Sequence, residues 1–202
     1  MAAASPLPVV PKSFEELWRD LLAVPEGHVG EIVAGNIVTH PRPNDPHALA
    51  QTELGGELHG PFRRGLGGPG GWIFRVEPRI RFGEEMRVPD LAAWRAERFV
   101  AQPRGPLTVV PDWSCEVLSP STAAFDRAEK MPLSAAHGVG HLWLIDPVAQ
   151  VLEVYRLEHG AWLVVGAYSA DAKVRAEPFD AIELDLVNVW GPKREPPSDD
   201  EG

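Results

Sequence analysis

Asp90, Glu116 and Lys130 are the residues of this chain whose types and placement could do chemistry. Two carboxylates at the ends of neighbouring strands suffice to hold magnesium, which prefers one or two carboxylates with water and phosphate over a full protein cage. Such an ion lowers the pKa of an attacking water and neutralises charge developing on phosphate oxygens, so the chemistry would be phosphodiester hydrolysis. A lysine beside the pair would orient the water or stabilise that charge. Asp90 opens the strand-like run VPDLAAWR and Glu116 lies inside WSCEVLS, with a loop between them long enough for the two strands to pair. Side chains alternate across a strand, so Ser114, Glu116 and Leu118 share one face and Trp113, Cys115 and Val117 the other. A glutamate in so apolar a strand has to be partnered, solvated or functional. Lys130 follows Asp126 by one turn on the next predicted helix, and an ion pair worth about 0.3–0.5 kcal/mol is the simpler reading of those two.

The elements that must position these groups follow from periodicity. Ser13 and Glu16 form a capping box, and Phe14, Leu17, Trp18, Leu21 and Leu22 recur at helical spacing, giving a short helix that ends before Pro25. VGEIVAGNIVTH predicts a hairpin turning at Ala34-Gly35-Asn36, with Glu31 on its first strand. Asn44 or Asp45 caps a second helix from about His47 to Arg64, and the glycines of GLGGPGG then force a loop. Trp72 to Phe82 alternates as one long strand, with Pro78 implying an edge position or a bulge. A helix over roughly residues 122–137 is capped by Ser121 or Thr122 and stopped by Gly138. HLWLIDP, VLEVYRL and AWLVVGAYS then read as an antiparallel C-terminal meander. This order predicts a mixed α/β chain, a sheet with helices packed on it. Residues 1–12 and 192–202 read as flexible tails around a single domain spanning 13–191.

The run VPDLAAW, then PDWSCEVLSPST, then Asp126, Lys130, Gly138-Val139 and HLWLIDP resembles the Uma-type family of restriction-endonuclease-like proteins, within the PD-(D/E)XK nuclease superfamily. The resemblance takes in Glu31 of GEIVAG and His47, and its specific part is EVLSPST with the downstream D-x-x-x-K. It implies a restriction-endonuclease-like core with a mixed central sheet flanked by helices. It also implies Asp90 and Glu116 as ligands of Mg2+ or Mn2+, with Glu31 as a further acidic contributor. Leu118 stands where the superfamily has its lysine, two residues after the glutamate, and the resemblance assigns that role to Lys130. It further implies a metal-dependent endonuclease acting on nucleic acid, DNA in preference to RNA, and a homodimer to which the apolar C-terminal strands could contribute. The chain departs from the family pattern at Ser134, where an aromatic residue is usual, at His141-Leu142 in place of Glu-Tyr, and at Pro132, which strains a helix. These departures, with the acidic surface, motivate an alternative: a nuclease-fold binding or assembly module whose catalysis is weak or lost.

Bulk properties set outer limits. A chain of 202 residues, 44% hydrophobic and 24% charged, suits one folded domain. Its formal charge of −10 argues against a large basic surface for duplex binding, yet Arg63, Arg64, Arg75, Arg79, Arg81, Arg87 and Arg95 crowd one stretch and leave room for a local stripe. Cys115 is the single cysteine, so neither an internal disulfide nor a multi-cysteine metal site can form. The start MAAASPLPVVPKSF lacks a basic segment followed by an apolar one, and no apolar run approaches the roughly 20 residues of a membrane span, so a cytoplasmic chain is expected. Gly138-Val139-Gly140 separates His137 from His141 and prevents their alignment as zinc ligands on a helix. His47 reads as a helix residue near the cleft, and Trp72, Trp94, Trp113 and Trp143 as core rather than base-stacking platforms. Two carboxylates can also hydrolyse a glycoside without metal, but nothing in the sequence specifies a sugar site.

Overall fold

The computed structural model describes residues 11–41 and 45–191. Asn44 and the predicted tails, apart from Pro11 and Lys12, lie outside the described residues. In chain order the elements are α1 (Phe14–Leu21), β1 (His28–Val33), β2 (Asn36–Pro41), α2 (Asp45–Leu58) continued by a π turn (His59–Arg63), β3 (Trp72–Val76), β4 (Ile80–Phe82), β5 (Glu85–Arg87), β6 (Leu91–Arg95) and β7 (Trp113–Val117). A helical crossover follows, made of α3 (Ala123–Phe125), a π turn (Asp126–Lys130) and α4 (Met131–Ala136). The chain continues through β8 (His141–Asp146), β9 (Val151–Glu158), β10 (Ala161–Ser169), β11 (Lys173–Val174), β12 (Leu184–Asp185) and α5 (Leu186–Trp190).

Two sheets carry the architecture. The larger runs β10-β9-β8-β7-β6-β3 and is antiparallel except at β7 and β8, which lie parallel and are joined by the crossover. This is the mixed sheet with a C-terminal meander that the residue pattern predicts. The smaller sheet, β2-β1-β5-β4, is antiparallel. Its β1–β2 hairpin closes through Ala34 at φ 46° and Gly35 at φ 75°, the positive values that a two-residue turn needs to match the strand twist. The Ser13 capping box forms as expected: Glu16 N–H donates to Ser13 Oγ, and Ser13 N–H donates to the Glu16 carboxylate at 2.8 Å. α1 then buries Phe14, Leu17 and Leu21 with Ile32 and Met86 of the smaller sheet.

Two expectations need correction. The predicted strand from Trp72 to Phe82 is not one strand. Pro78 has no N–H for a ladder and Glu77 turns to φ 44°, so β3 stays in the larger sheet while β4 joins the smaller one. The predicted helix over roughly 122–137 is interrupted by a π turn, in which Met131 N–H donates to Asp126 O, five residues back. Pro132 comes next. Its ring would crowd the carbonyl four residues earlier in a regular helix, and the wider turn relieves that crowding. Gly138, at φ 79°, ends the segment.

The main core lies on one face of the larger sheet, where Ala50, Leu54, Leu58 and Phe62 of α2 and its π turn meet Trp113, Cys115, Val117, Trp143 and Ile145. The alternation of β7 therefore sends Glu116 to the opposite face. Phe179 is the hub of this core, with ring centroids 4.7 Å from Phe62, 4.9 Å from Trp72, 5.1 Å from Trp113, 5.5 Å from Phe74 and 5.7 Å from Trp143. Among the described residues no helix is long and apolar enough to cross a membrane. Phe179→Ala should lower the unfolding free energy by about 3–5 kcal/mol, with a smaller loss for Phe179→Leu. Denaturant titration followed by tryptophan fluorescence checks this, and equal losses in the two variants would contradict an aromatic hub.

Candidate active site

The register that pairs Leu91 with Cys115 brings Asp90, one residue before β6, alongside Glu116 of β7. Asp90 Oδ2 accepts from Val117 N–H at 2.7 Å and lies 3.2 Å from His47 Nε2, while the Asp90 carbonyl accepts from Gln51 Nε2 at 2.8 Å. His47 and Gln51 are one turn apart on α2, so that helix grips Asp90 by both its side chain and its backbone. Glu31 arrives from β1. Its Oε1 accepts from Val88 N–H at 2.7 Å, whereas its buried Oε2 has no hydrogen-bond partner among the described residues.

Lys130 joins these groups. Its Nζ lies 2.8 Å from Glu116 Oε2, 3.1 Å from Asp126 Oδ1 and 3.7 Å from Glu31 Oε1. The Asp126–Lys130 pair of the simpler sequence reading exists, but it is buried, and the same ammonium also serves Glu116 and Glu31. The four sequence candidates, Asp90, Glu116, Lys130 and Glu31, thus occupy one neighbourhood. Sequence reasoning undervalued Asp126, which is only 2% exposed, and did not see that His47 and Gln51 hold Asp90. The i,i+4 spacing of Asp126 with Lys130, and of His47 with Gln51, was the available signal. His137 and His141 are engaged elsewhere, His137 with Phe82 and the Leu133 carbonyl, His141 with Glu177.

Four carboxylates, those of Glu31, Asp90, Glu116 and Asp126, surround the single ammonium of Lys130. Burial pushes the Glu116 carboxyl well above the usual carboxylate range. The attraction of Lys130 pulls it back only partly, and Asp126 and Asp90 push it further up. Burial alone would lower Lys130, but the combined field of Glu116, Glu31, Asp126 and Asp90 outweighs it and holds the ammonium well above its ordinary value. Lys130 is therefore charged, and the surrounding negative charge exceeds it.

A cavity of about 270 Å³ opens over this cluster, lined by Glu31, His40, His47, Asp90, Ser119, Thr122, Asp126 and Lys130 among others. Glu116 does not line it and lies buried behind the lysine. The donor set fits a hard divalent cation: all candidate ligands are carboxylate oxygens, one of them is buried without a partner, and the local charge is negative. Among the described residues no group of three His, Cys, Asp or Glu side chains is gathered closely enough to hold an ion. The fit is accordingly to an ion with one or two carboxylate ligands and water or phosphate completing its shell.

Comparison with known proteins agrees with this architecture. Residues 14–187 match a family model described as "Uma2: Putative restriction endonuclease". A crystal structure from Anabaena variabilis ATCC 29413, described as "a putative nuclease belonging to DUF820", superposes with a TM-score of 0.68 at 24% identity, covering 89% of this chain and 98% of that one. That likeness establishes the restriction-endonuclease-like fold. No curated protein matches the chain.

The raised Glu116 has a consequence for stability. The fold keeps a proton on this group where the unfolded chain has lost it. Its contribution is thus present below the unfolded value of 4.5 and is lost as pH rises through the folded value. Glutamine cannot ionise and escapes that loss. In chelator, the thermal midpoint of Glu116→Gln should gain on wild type as pH rises from about 5 to about 8. A gap that narrows over this range in a calorimetric scan would contradict the charge balance described.

Proposed function

We propose that this chain, which belongs to the Uma2 family, is a divalent-cation-dependent endonuclease that hydrolyses phosphodiester bonds in nucleic acid. The observation that carries the reading is the excess of buried carboxylate over ammonium beneath an open cavity, a balance that a bound divalent cation would restore. Asp90, which lines that cavity, and Glu116, which would have to give up its proton and turn past Lys130 to reach it, would hold magnesium or manganese, with Glu31 contributing its unpartnered oxygen. When bound, such an ion supplies Lewis-acid activation of water and neutralises charge on the phosphate.

The protein groups have separate tasks. His47 and the Val117 N–H fix the Asp90 carboxylate, so its orientation does not have to be found anew at each turnover. Asp126 anchors Lys130 from the same helical segment and leaves the ammonium able to hold a water or meet charge developing on phosphate. Glu31, tied at Oε1 to Val88 N–H, keeps Oε2 free for a cationic partner. The contact of Lys130 with Glu116 speaks against the inactive-module alternative, because the π turn absorbs the strain of Pro132 without losing the lysine. DNA is the polymer this reading favours, in keeping with a family described as a restriction endonuclease. Exposed Leu163 and Val164 on the edge strand β10 are in keeping with a homodimer.

Wild type should cut single-stranded, duplex or structured nucleic acid only with magnesium or manganese present. Asp90→Ala and Glu116→Ala should each slow cleavage by at least about a hundredfold. Equal rates in all three proteins would sink the reading. Lys130→Met should lower kcat by about 10²–10³-fold, while calorimetric titration finds manganese bound as tightly as in wild type or more so, since a nearby positive charge is gone. Loss of cation binding in that variant would mean that Lys130 organises the carboxylates instead of acting on the water or phosphate.

A further inference from the structure

The arginine-rich stretch does not form one basic stripe. Arg81 is met by Glu15 and Glu84, Arg87 by Glu85, and Arg98 beyond them by Asp112. Arg75 and Arg79 have no carboxylate partner among the described residues. Each is seated on an aromatic ring instead, Arg79 at 5.5 Å from the Trp18 centroid and Arg75 at 4.9 Å from that of Phe99. Such a seat holds a guanidinium in place without neutralising it.

Both arginines line a second cavity, of about 440 Å³, with His28 and Gln102. This cavity shares Val29, Glu77 and Val88 with the one over the carboxylate cluster, so the two adjoin. Glu77 is the acidic lining residue at the junction. Strand register places Arg75 relative to the cluster. Arg75 pairs with Ala92, and Ala92 with Ser114, which lies two residues before Glu116 on the same face of β7. Arg75 therefore stands on the Glu116 face of the sheet, one strand across and one pleat repeat along from Asp90, a Cα separation on the order of 8 Å. From that Cα a guanidinium side chain is long enough to meet a phosphate next to one held over the carboxylates, on turning from the Phe99 ring and the Phe74 carbonyl that now hold it. In a chain with a formal charge of −10, Arg75 and Arg79 put two guanidinium groups without a carboxylate partner among the described residues on the wall of a cavity adjoining the carboxylate cluster.

We propose that Arg75 and Arg79 form a phosphate subsite that receives the nucleic-acid backbone as it leaves the cleavage cavity. The inference rests on the nuclease reading above and deepens it. The substrate is a polymer held by its backbone rather than a mononucleotide, and this grip does not read base sequence, because phosphate contacts position a strand without specifying it.

The test is fluorescence anisotropy with a labelled oligonucleotide and the full chain, in chelator so that nothing is cut, at several salt concentrations. Arg75→Ala/Arg79→Ala should bind at least about tenfold more weakly than wild type, with a slope of log Kd against log salt shallower by about one unit. Arg175→Ala, which removes one positive charge outside both cavities, should change neither quantity. Arg75→Lys/Arg79→Lys should keep the wild-type slope, which a loss of folding or of ring packing would not explain. Wild-type affinity and slope in the double alanine variant, or an equal loss in Arg175→Ala, would overturn the subsite. Cleavage by wild type, measured separately with manganese, keeps the two readings apart. Cutting without arginine-dependent binding removes the subsite and leaves the nuclease. Arginine-dependent binding without cutting supports the subsite and removes the nuclease.

Discussion

The ammonium of Lys130, buried among four carboxylates, is the interaction around which the rest of the structure is arranged. Taking one positive charge out of water costs several kcal/mol, and so does each carboxylate taken with it, unless the geometry lets them compensate one another. Here the compensation is incomplete by design of the residue set: Glu116, Asp126 and Glu31 reach the lysine and Asp90 stands nearby, so the surplus is negative. A cluster of this kind survives only if other parts of the molecule hold each member in place. Under the proposed function, its cost to the fold is also what would give an incoming cation a reason to bind.

Each supporting element answers that demand. β6 and β7 set Asp90 beside Glu116 through their antiparallel register, and α2 clamps Asp90 through His47 and Gln51. The smaller sheet contributes Glu31 from β1, so two separate sheets meet at the site. The crossover between the parallel pair β7 and β8 carries Lys130. On the far face of the larger sheet, the Phe179-centred core gives β7 a rigid backing, which is why a strand can present a charged residue on one side while burying Trp113, Cys115 and Val117 on the other.

Charge is divided by region rather than averaged. The chain is acidic as a whole and gathers four carboxylates where a cation would sit, while Arg81 and Arg87 of the central stretch are paired with carboxylates. Arg75 and Arg79, without a carboxylate partner among the described residues, line the adjoining cavity. A polyanion approaching this molecule would meet repulsion from its net charge and local attraction at Arg75 and Arg79, an arrangement that selects binding orientation more than it strengthens binding.

The local features were legible in the residues alone. The Ser13 capping box, the Ala34-Gly35 turn, the two faces of β7 and the positions of Asp90 and Glu116 on neighbouring strands each depend on side chains a few positions apart, whose geometry is set by backbone chemistry. What tertiary structure decided involves partners distant in sequence or the phase of a helix. The break at Glu77-Pro78 that sends β3 and β4 into different sheets is one case, since a residue pattern can mark a kink but not its destination. The π turn before Pro132 is another. Whether Asp126 and Lys130 are a solvated surface pair or half of a buried site turns on the rotation of that segment, and rotation is fixed by packing against sheets that the local spacing does not encode.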